Sequence, residues 1–212
     1  MARWLAPLGL LLTWALTLFA YFQLPKRIPA HWNLQGEVDR YGAREEVFLL
    51  PLVLTLLIYP LLHLAPRIDP KLRGQTPGVW PWLEALVVWT FALLQGAFLY
   101  ATWRHLLGAP VPVERAILGF LAFIFLGLAL LLPRLSPNYL AGVRTPWTLE
   151  DPGVWRATHL RAGVVFGLLG FLALGVALGW LPFWLWALAL ALGSLDLVLF
   201  AYRAWRRRNP GP

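Results

Sequence analysis

The sequence has no cysteine, one methionine, two lysines and four histidines in 212 residues. Without cysteine there are no disulfides and no thiolate metal sites. Charged residues make up 13% of the chain, against about a quarter in an ordinary soluble domain. There is no HExxH helix, no GxSxG elbow, no phosphate-cradling P-loop and no glycine-rich dinucleotide fingerprint. The four histidines lie far apart in sequence. The chain is therefore read as a non-enzyme with no resident cofactor and no metal site.

What is abundant is apolar sequence, at 59% of the residues. Several apolar runs approach the roughly 20 residues needed to cross about 30 Å of hydrocarbon. A β-barrel would show short alternating segments instead. The class is all-α, a polytopic membrane protein of about six transmembrane helices. The runs are Trp4–Phe22, Val47–Ala65, Pro81–Trp103 and Ala116–Leu132, then the region 162–202, long enough for two spans. Gly179-Trp180-Leu181-Pro182 is the turn within that last region. The first run is long, rich in Trp and Phe, and lacks a small-residue cleavage site before Lys26, so it reads as an uncleaved span. The chain divides at 1–80, a two-span region with a polar loop, and 81–212, a four-span region.

Net charge is +8, carried almost wholly by arginine. In a membrane chain this reports topology rather than direct nucleic-acid binding. With the N-terminus inside, the inner segments hold Arg3; Arg67, Lys71 and Arg73; Arg134, Arg144, Arg156 and Arg161; and Arg203, Arg206, Arg207 and Arg208. The outer segments hold Lys26, Arg27, Arg40, Arg44, Arg104 and Arg115. That two-to-one bias puts both termini in the cytoplasm. The Trp205-Arg206-Arg207-Arg208 tail reads as an anchor to anionic membrane lipids.

Three polar stretches interrupt the spans. The outer loop contains Pro25 and Pro29, which hold it extended, and Asn33 and Gly36, which suggest a turn. Trp32 suits the headgroup level. His31, Glu37 and Asp39 are a metal or proton-site candidate, but their spacing fits no recognised pattern. An ordered hairpin with His31 hydrogen-bonded accounts for the same residues. In the loop after span two, Asp69-Pro70 reads as a helix start, with Asp as N-cap and Pro at the first helical position.

The third stretch, Arg134–Arg161, is the richest. Ser136-Pro137-Asn138 and Ala141-Gly142 mark loops, and Asp151-Pro152 opens a helix. Trp155, Thr158, His159 and Ala162 then share one face. The expectation is a short interfacial helix leading into span five, with Trp155 at the headgroup boundary. Arg144 stands between a glycine turn and Thr145-Pro146-Trp147-Thr148, where its planar fork can grip a carboxylate or phosphate bidentately. Intramembrane Glu84 and Asp196, with His63, are expected to form one polar cluster reached by Arg144, Arg156 or His159. Gly163/Gly167 and Gly175/Gly179 have the spacing for close helix packing.

These residues carry a family resemblance. Asn138, Gly142, Arg144-Thr145-Pro146-Trp147-Thr148-Leu149, Trp155 and Thr158-His159 resemble the signature of SdpI-type immunity proteins. Leu24-Pro25, Ile28-Pro29, His31-Trp32-Asn33, Gly36 and Asp39, with Ile68-Asp69-Pro70-Lys71, resemble the uncharacterised domain that commonly precedes it. The chain departs from the family at Leu160, where the family usually has arginine directly after Thr-His; here Arg161 follows instead. The resemblance implies a bacterial plasma (inner) membrane protein for immunity and signal transduction, with a secreted toxin peptide as outer partner. It also implies a cytoplasmic repressor as inner partner. From another class, a small-solute or peptide transporter would use Glu84 and Asp196 along its path. A membrane hydrolase, with His31, Glu37 and Asp39 facing outward, ranks third.

Overall fold

The computed structural model describes residues 2–33, 35–72, 78–109 and 111–210. Among the described residues, six helices are long and apolar enough to cross a membrane: α1 (Ala2–Tyr21), α2 (Arg44–Ile68), α3 (Trp80–Leu106), α4 (Val113–Arg134), α6 (Pro152–Ala177) and α7 (Phe183–Arg208). A short helix, α5 (Pro146–Glu150), precedes α6. The remaining regular structure among the described residues is an antiparallel hairpin between α1 and α2, β1 (Arg27–Trp32) and β2 (Val38–Ala43). The polytopic all-α class is borne out. Part of the loop after α2, including Arg73, lies outside the described residues.

By packing, the chain forms two units, Met1–His63 with Pro81–Phe120, and Leu64–Trp80 with Leu121–Pro212. In the first unit, Ala6, Leu54 and Val88 make one buried cluster, and Ala20, Leu24, Ile28, Val47 and Leu99 another. Polar groups among apolar helices need partners inside the protein. Gln95, only 1% exposed, donates to Thr17 Oγ1 and to the Val47 carbonyl, both at 3.0 Å. Trp14 Nε1 donates to Thr55 Oγ1 (2.9 Å) and Trp89 Nε1 to the Leu5 carbonyl (3.0 Å). Within α2, residues Leu54–Ile58 adopt π geometry between Pro51 and Pro60. Such a bulge absorbs the clash and the lost N–H that proline brings to a helix interior.

The second unit is built on the α6–α7 pair. Leu178 ends α6, and Gly179, at φ +77°, turns the chain. The Trp180 N–H returns to the Gly175 carbonyl (2.9 Å), and Pro182 stands just before α7. The expected turn is therefore present. Gly163 and Gly170 of α6 serve close packing within this unit, whereas a Cβ on Gly167 would meet Ala129 Cβ at an ordinary 3.7 Å. A Cβ on Gly163 would lie 2.6 Å from Pro133 Cγ, and one on Gly170 2.7 Å from Leu126 Cγ. Val79, Leu132, Leu135, Trp155, Ala162 and Leu197 form its buried core.

Two local expectations are corrected. Asp69-Pro70 does not start a helix: Asp69–Leu72 is a turn in which Asp69 Oδ1 accepts from the Lys71 N–H (2.8 Å). Nor is there a separate interfacial helix before span five, because Pro152–Ala177 is continuous. No glycine or proline interrupts the stretch between Pro152-Gly153 and Ala162. Nothing therefore breaks the backbone ladder there.

Candidate functional site

The residues that join α4 to α6 fold into a closed polar frame. Asn138, 1% exposed, accepts from the Leu140 and Ala141 N–H groups through Oδ1 (2.8 and 2.7 Å). Its Nδ2 donates to the Ser136 carbonyl (2.9 Å). One asparagine thus satisfies a whole turn, as short polar side chains do in loops. Thr145 caps α5, its Oγ1 accepting from the Thr148 N–H (3.3 Å), and Pro146 occupies the first helical position. Thr148 is fully buried; its hydroxyl donates to the Val143 carbonyl (2.8 Å) and accepts from the Thr145 N–H (2.9 Å). The TPWT run is a capping box with threonine at both ends.

His159 ties this loop to α6. Its Nδ1 lies 2.9 Å from the Trp155 carbonyl and its Nε2 accepts from the Val143 N–H at 3.1 Å. Because Nε2 must present a lone pair, the ring is neutral with its proton on Nδ1. Gly142 allows the approach. Its φ of +116° disfavours any side chain, and a Cβ there would stand 2.2 Å from His159 Nε2. Trp155 stacks on His159, with centroids 4.0 Å apart and planes at 19°, and its Nε1 donates to the Leu135 carbonyl (2.7 Å). Trp155 is 1% exposed. It is a core residue, not the headgroup marker expected, because the loop folds over it. Thr158 is buried in the same face and its hydroxyl has no partner among the described residues; no hydrogen bond explains its place in the motif.

Three further elements brace the frame. Asp69 Oδ2 accepts from the Tyr139 N–H (2.6 Å), while Lys71 Nζ donates to the Leu149 carbonyl and lies over the Tyr139 ring. Asp151 caps α6, accepting from the Gly153 and Val154 N–H groups (2.6 and 3.2 Å), as expected. From α7, Arg208 Nε donates to Asp151 Oδ2 (2.7 Å), Trp205 Nε1 to Glu150 Oε2 (2.9 Å), and Tyr202 packs on Trp147. The Arg208 guanidinium, ahead of the two backbone N–H groups, holds the Asp151 carboxyl below its ordinary range despite partial desolvation. Sequence reasoning missed Asp69 and Lys71 as braces. Their only signal was their place in the resemblance to the preceding domain.

Outside the frame stand Tyr139, Leu140, Arg144, Pro146, Arg156 and Leu160, all exposed. One Nη of Arg144 donates to the Tyr139 carbonyl (2.6 Å). Its other N–H groups have no partner among the described residues.

The expected single polar cluster is replaced by two separate pairs. Asp196 is gripped bidentately by Arg161, Nε to Oδ2 and Nη2 to Oδ1, both 2.6 Å, and not by Arg144, Arg156 or His159. Arg161 also lies over Phe200. Glu84, in the first unit, pairs with His63 at 3.4 Å. The shift of arginine from position 160 to 161 turns it about 100° around the helix, onto the side facing Asp196.

The hairpin of the first unit forms as the prolines and turn residues suggest, with β1 and β2 paired from Arg27↔Ala43 to Trp32↔Val38. Pro29 lies in β1, buried beside Ile28, while Pro25 precedes the strand, exposed. Asn33 and Gly36 close the turn, Gly36 N–H donating to the Asn33 carbonyl (3.0 Å). His31 and Asp39 face each other at 2.6 Å, both exposed. Glu37 turns away to Asn33 Nδ2 (3.0 Å), so the three expected ligands do not converge. Trp32 packs edge-on against Phe98, its Nε1 buried without a partner among the described residues. A groove of about 280 Å³ runs beside the hairpin, lined by Leu49, Leu94 and Phe98 and by the Arg40–Glu46 ion pair.

Comparison with known proteins finds family matches to two regions of the chain. Residues 8–55 match a domain of unknown function, DUF1648, and residues 134–202 match the SdpI/YfhL protein family. The immunity protein SdpI of Bacillus subtilis is 26% identical over 162 residues, covering 76% of this chain and 74% of that protein. An uncharacterized protein of Archaeoglobus fulgidus is 41% identical over 49 residues, 23% of this chain and 27% of its own length. No solved structure matches. In order along the chain, a region similar to the domain of unknown function is thus followed by one similar to the SdpI/YfhL family, in a chain whose described residues hold six helices long and apolar enough to cross a membrane.

Proposed function

We propose that this chain is an immunity protein of the bacterial plasma membrane that protects against a secreted antimicrobial peptide. In this reading the frame at Leu135–His159 faces the cytoplasm and signals by holding a repressor there. The arginine bias supports the orientation. The observation that carries the reading is how the SdpI-like residues divide. Asn138, Gly142, Thr145, Thr148, Trp155 and His159 lock the frame, while Arg144 is displayed from it. A rigid base with an exposed guanidinium suits recognition of a partner's carboxylate. The hairpin and its apolar groove, in a loop that the Lys and Arg count assigns to the outside, would meet the peptide.

The test is expression in a sensitive host challenged with membrane-active peptides. Wild type is expected to raise the inhibitory concentration of at least one of them. Arg144→Ala should keep that protection and lose induction of a reporter under the repressor. If wild type protects against none, immunity is the wrong function.

A further inference from the structure

The C-terminal part of α7 and Arg161 of α6 enclose a groove of about 480 Å³. Four arginines line it, Arg161, Arg203, Arg207 and Arg208, with Asp196 as the acidic member and Phe200 as an apolar wall. Arg161 is held by Asp196 and Arg208 by Asp151. Arg203 and Arg207 make neither a hydrogen bond nor an ion pair among the described residues. They lie four apart on one helix, hence on the same face. Arg203 lies within electrostatic reach of the Asp196 carboxylate, but both oxygens of that group are already taken by Arg161. A concave site of four guanidiniums and one carboxylate therefore still carries excess positive charge. Their planar forks suit phosphate oxygens.

The depth of the groove says where that phosphate comes from. Phe183 to Phe200 is 18 residues, about 27 Å of helix, close to the thickness of the hydrocarbon core. Arg203 follows directly, between Tyr202 and Trp205, the aromatic types that settle at headgroup level. Asp196 and Phe200 lie up to two turns deeper, where Leu195, Val198 and Leu199 are exposed on α7. The groove thus runs from headgroup depth into the acyl region.

We infer that Arg203 and Arg207 form a site for a phosphate group, supplied by an anionic phospholipid whose chain lies along Phe200. This deepens the general attraction of a basic tail to acidic lipids into a defined site, and it does not depend on the immunity reading.

The test uses the full-length protein in detergent, with Trp-fluorescence melting and native mass spectrometry of bound lipid. Phosphatidylglycerol is expected to raise Tm and bind one per chain, and phosphatidylcholine to do neither. Arg203→Ala/Arg207→Ala should weaken that binding at least about tenfold, the loss of one or two charge-assisted hydrogen bonds. Both side chains are exposed and make no hydrogen bond or close ion pair among the described residues, so the fold should survive. A charge-matched Arg134→Ala/Arg206→Ala variant should retain the lipid. Protection by inorganic phosphate alone, lost in the first double variant, would keep the site and assign it a soluble phosphate. Equal loss in both double variants, or equal binding of the two lipids, would overturn it.

Discussion

The frame at Leu135–His159 and the hairpin joining α1 to α2 draw on the same residue types, Trp, His, Asn, Pro and Gly, yet use them in opposite ways. In the first, the polar side chains turn inward. Asn138, Thr148 and His159 are at most 1% exposed and bonded to backbone. In the second, the His31–Asp39 pair has side chains 64% and 46% exposed. A buried polar group left without a partner costs far more than an exposed one, so the first arrangement tolerates little change and holds one geometry. The difference teaches that a motif-rich segment is not by itself a contact surface. Between Leu135 and His159 most motif residues are frame, and only Arg144 with a few neighbours is face.

The contrast is open to breakage first at Trp155. Trp155→Ala removes a buried ring and its bond to Leu135, and should cost about 3–5 kcal/mol, read as a lowered Tm in detergent. Gly142→Ala should cost about 2–3 kcal/mol from backbone strain and the clash with His159. An unchanged Tm in Gly142→Ala would show that His159 does not pack on this glycine.

The Arg161–Asp196 pair lies between the extremes. It is half exposed, so a double-mutant cycle with Arg161→Gln and Asp196→Asn should give a small but non-zero coupling, well below the cost of Trp155→Ala. Zero coupling would mean that the bidentate grip does not persist in the membrane.

Asp151 offers a pH test. Its carboxyl titrates lower in the folded chain than the ordinary value of about 3.9. Its contribution is therefore fully present above that ordinary value and is lost as pH falls through the depressed folded one. Melting curves between pH 6 and the acid limit should fall more steeply for wild type than for Asp151→Asn; parallel curves would remove Arg208 as its partner.

The smallest stability effect belongs to the hairpin. His31→Ala and Asp39→Ala should each change stability by less than about 0.5 kcal/mol, while altering peptide resistance if this face meets the peptide. A large drop in Tm would show that the hairpin is frame as well.

Hydropathy alone located all six spans, because crossing a membrane demands about 20 apolar residues in a row, and their composition is visible without partners. The Asp151 cap, the turn at Gly179 and the hairpin closed at Asn33–Gly36 were equally legible, since each is decided within a few residues of chain. The family motif singled out the frame residues but not what they do. Only the tertiary structure decided that Trp155 is buried rather than interfacial and that Gly142 makes room for His159. It alone decided that Asp69 and Lys71 brace a loop 70 and 78 residues on, and that Arg161 takes Asp196. The physical reason is that a buried polar group must be satisfied by whatever the fold brings within about 3 Å, and sequence spacing carries no record of that neighbour.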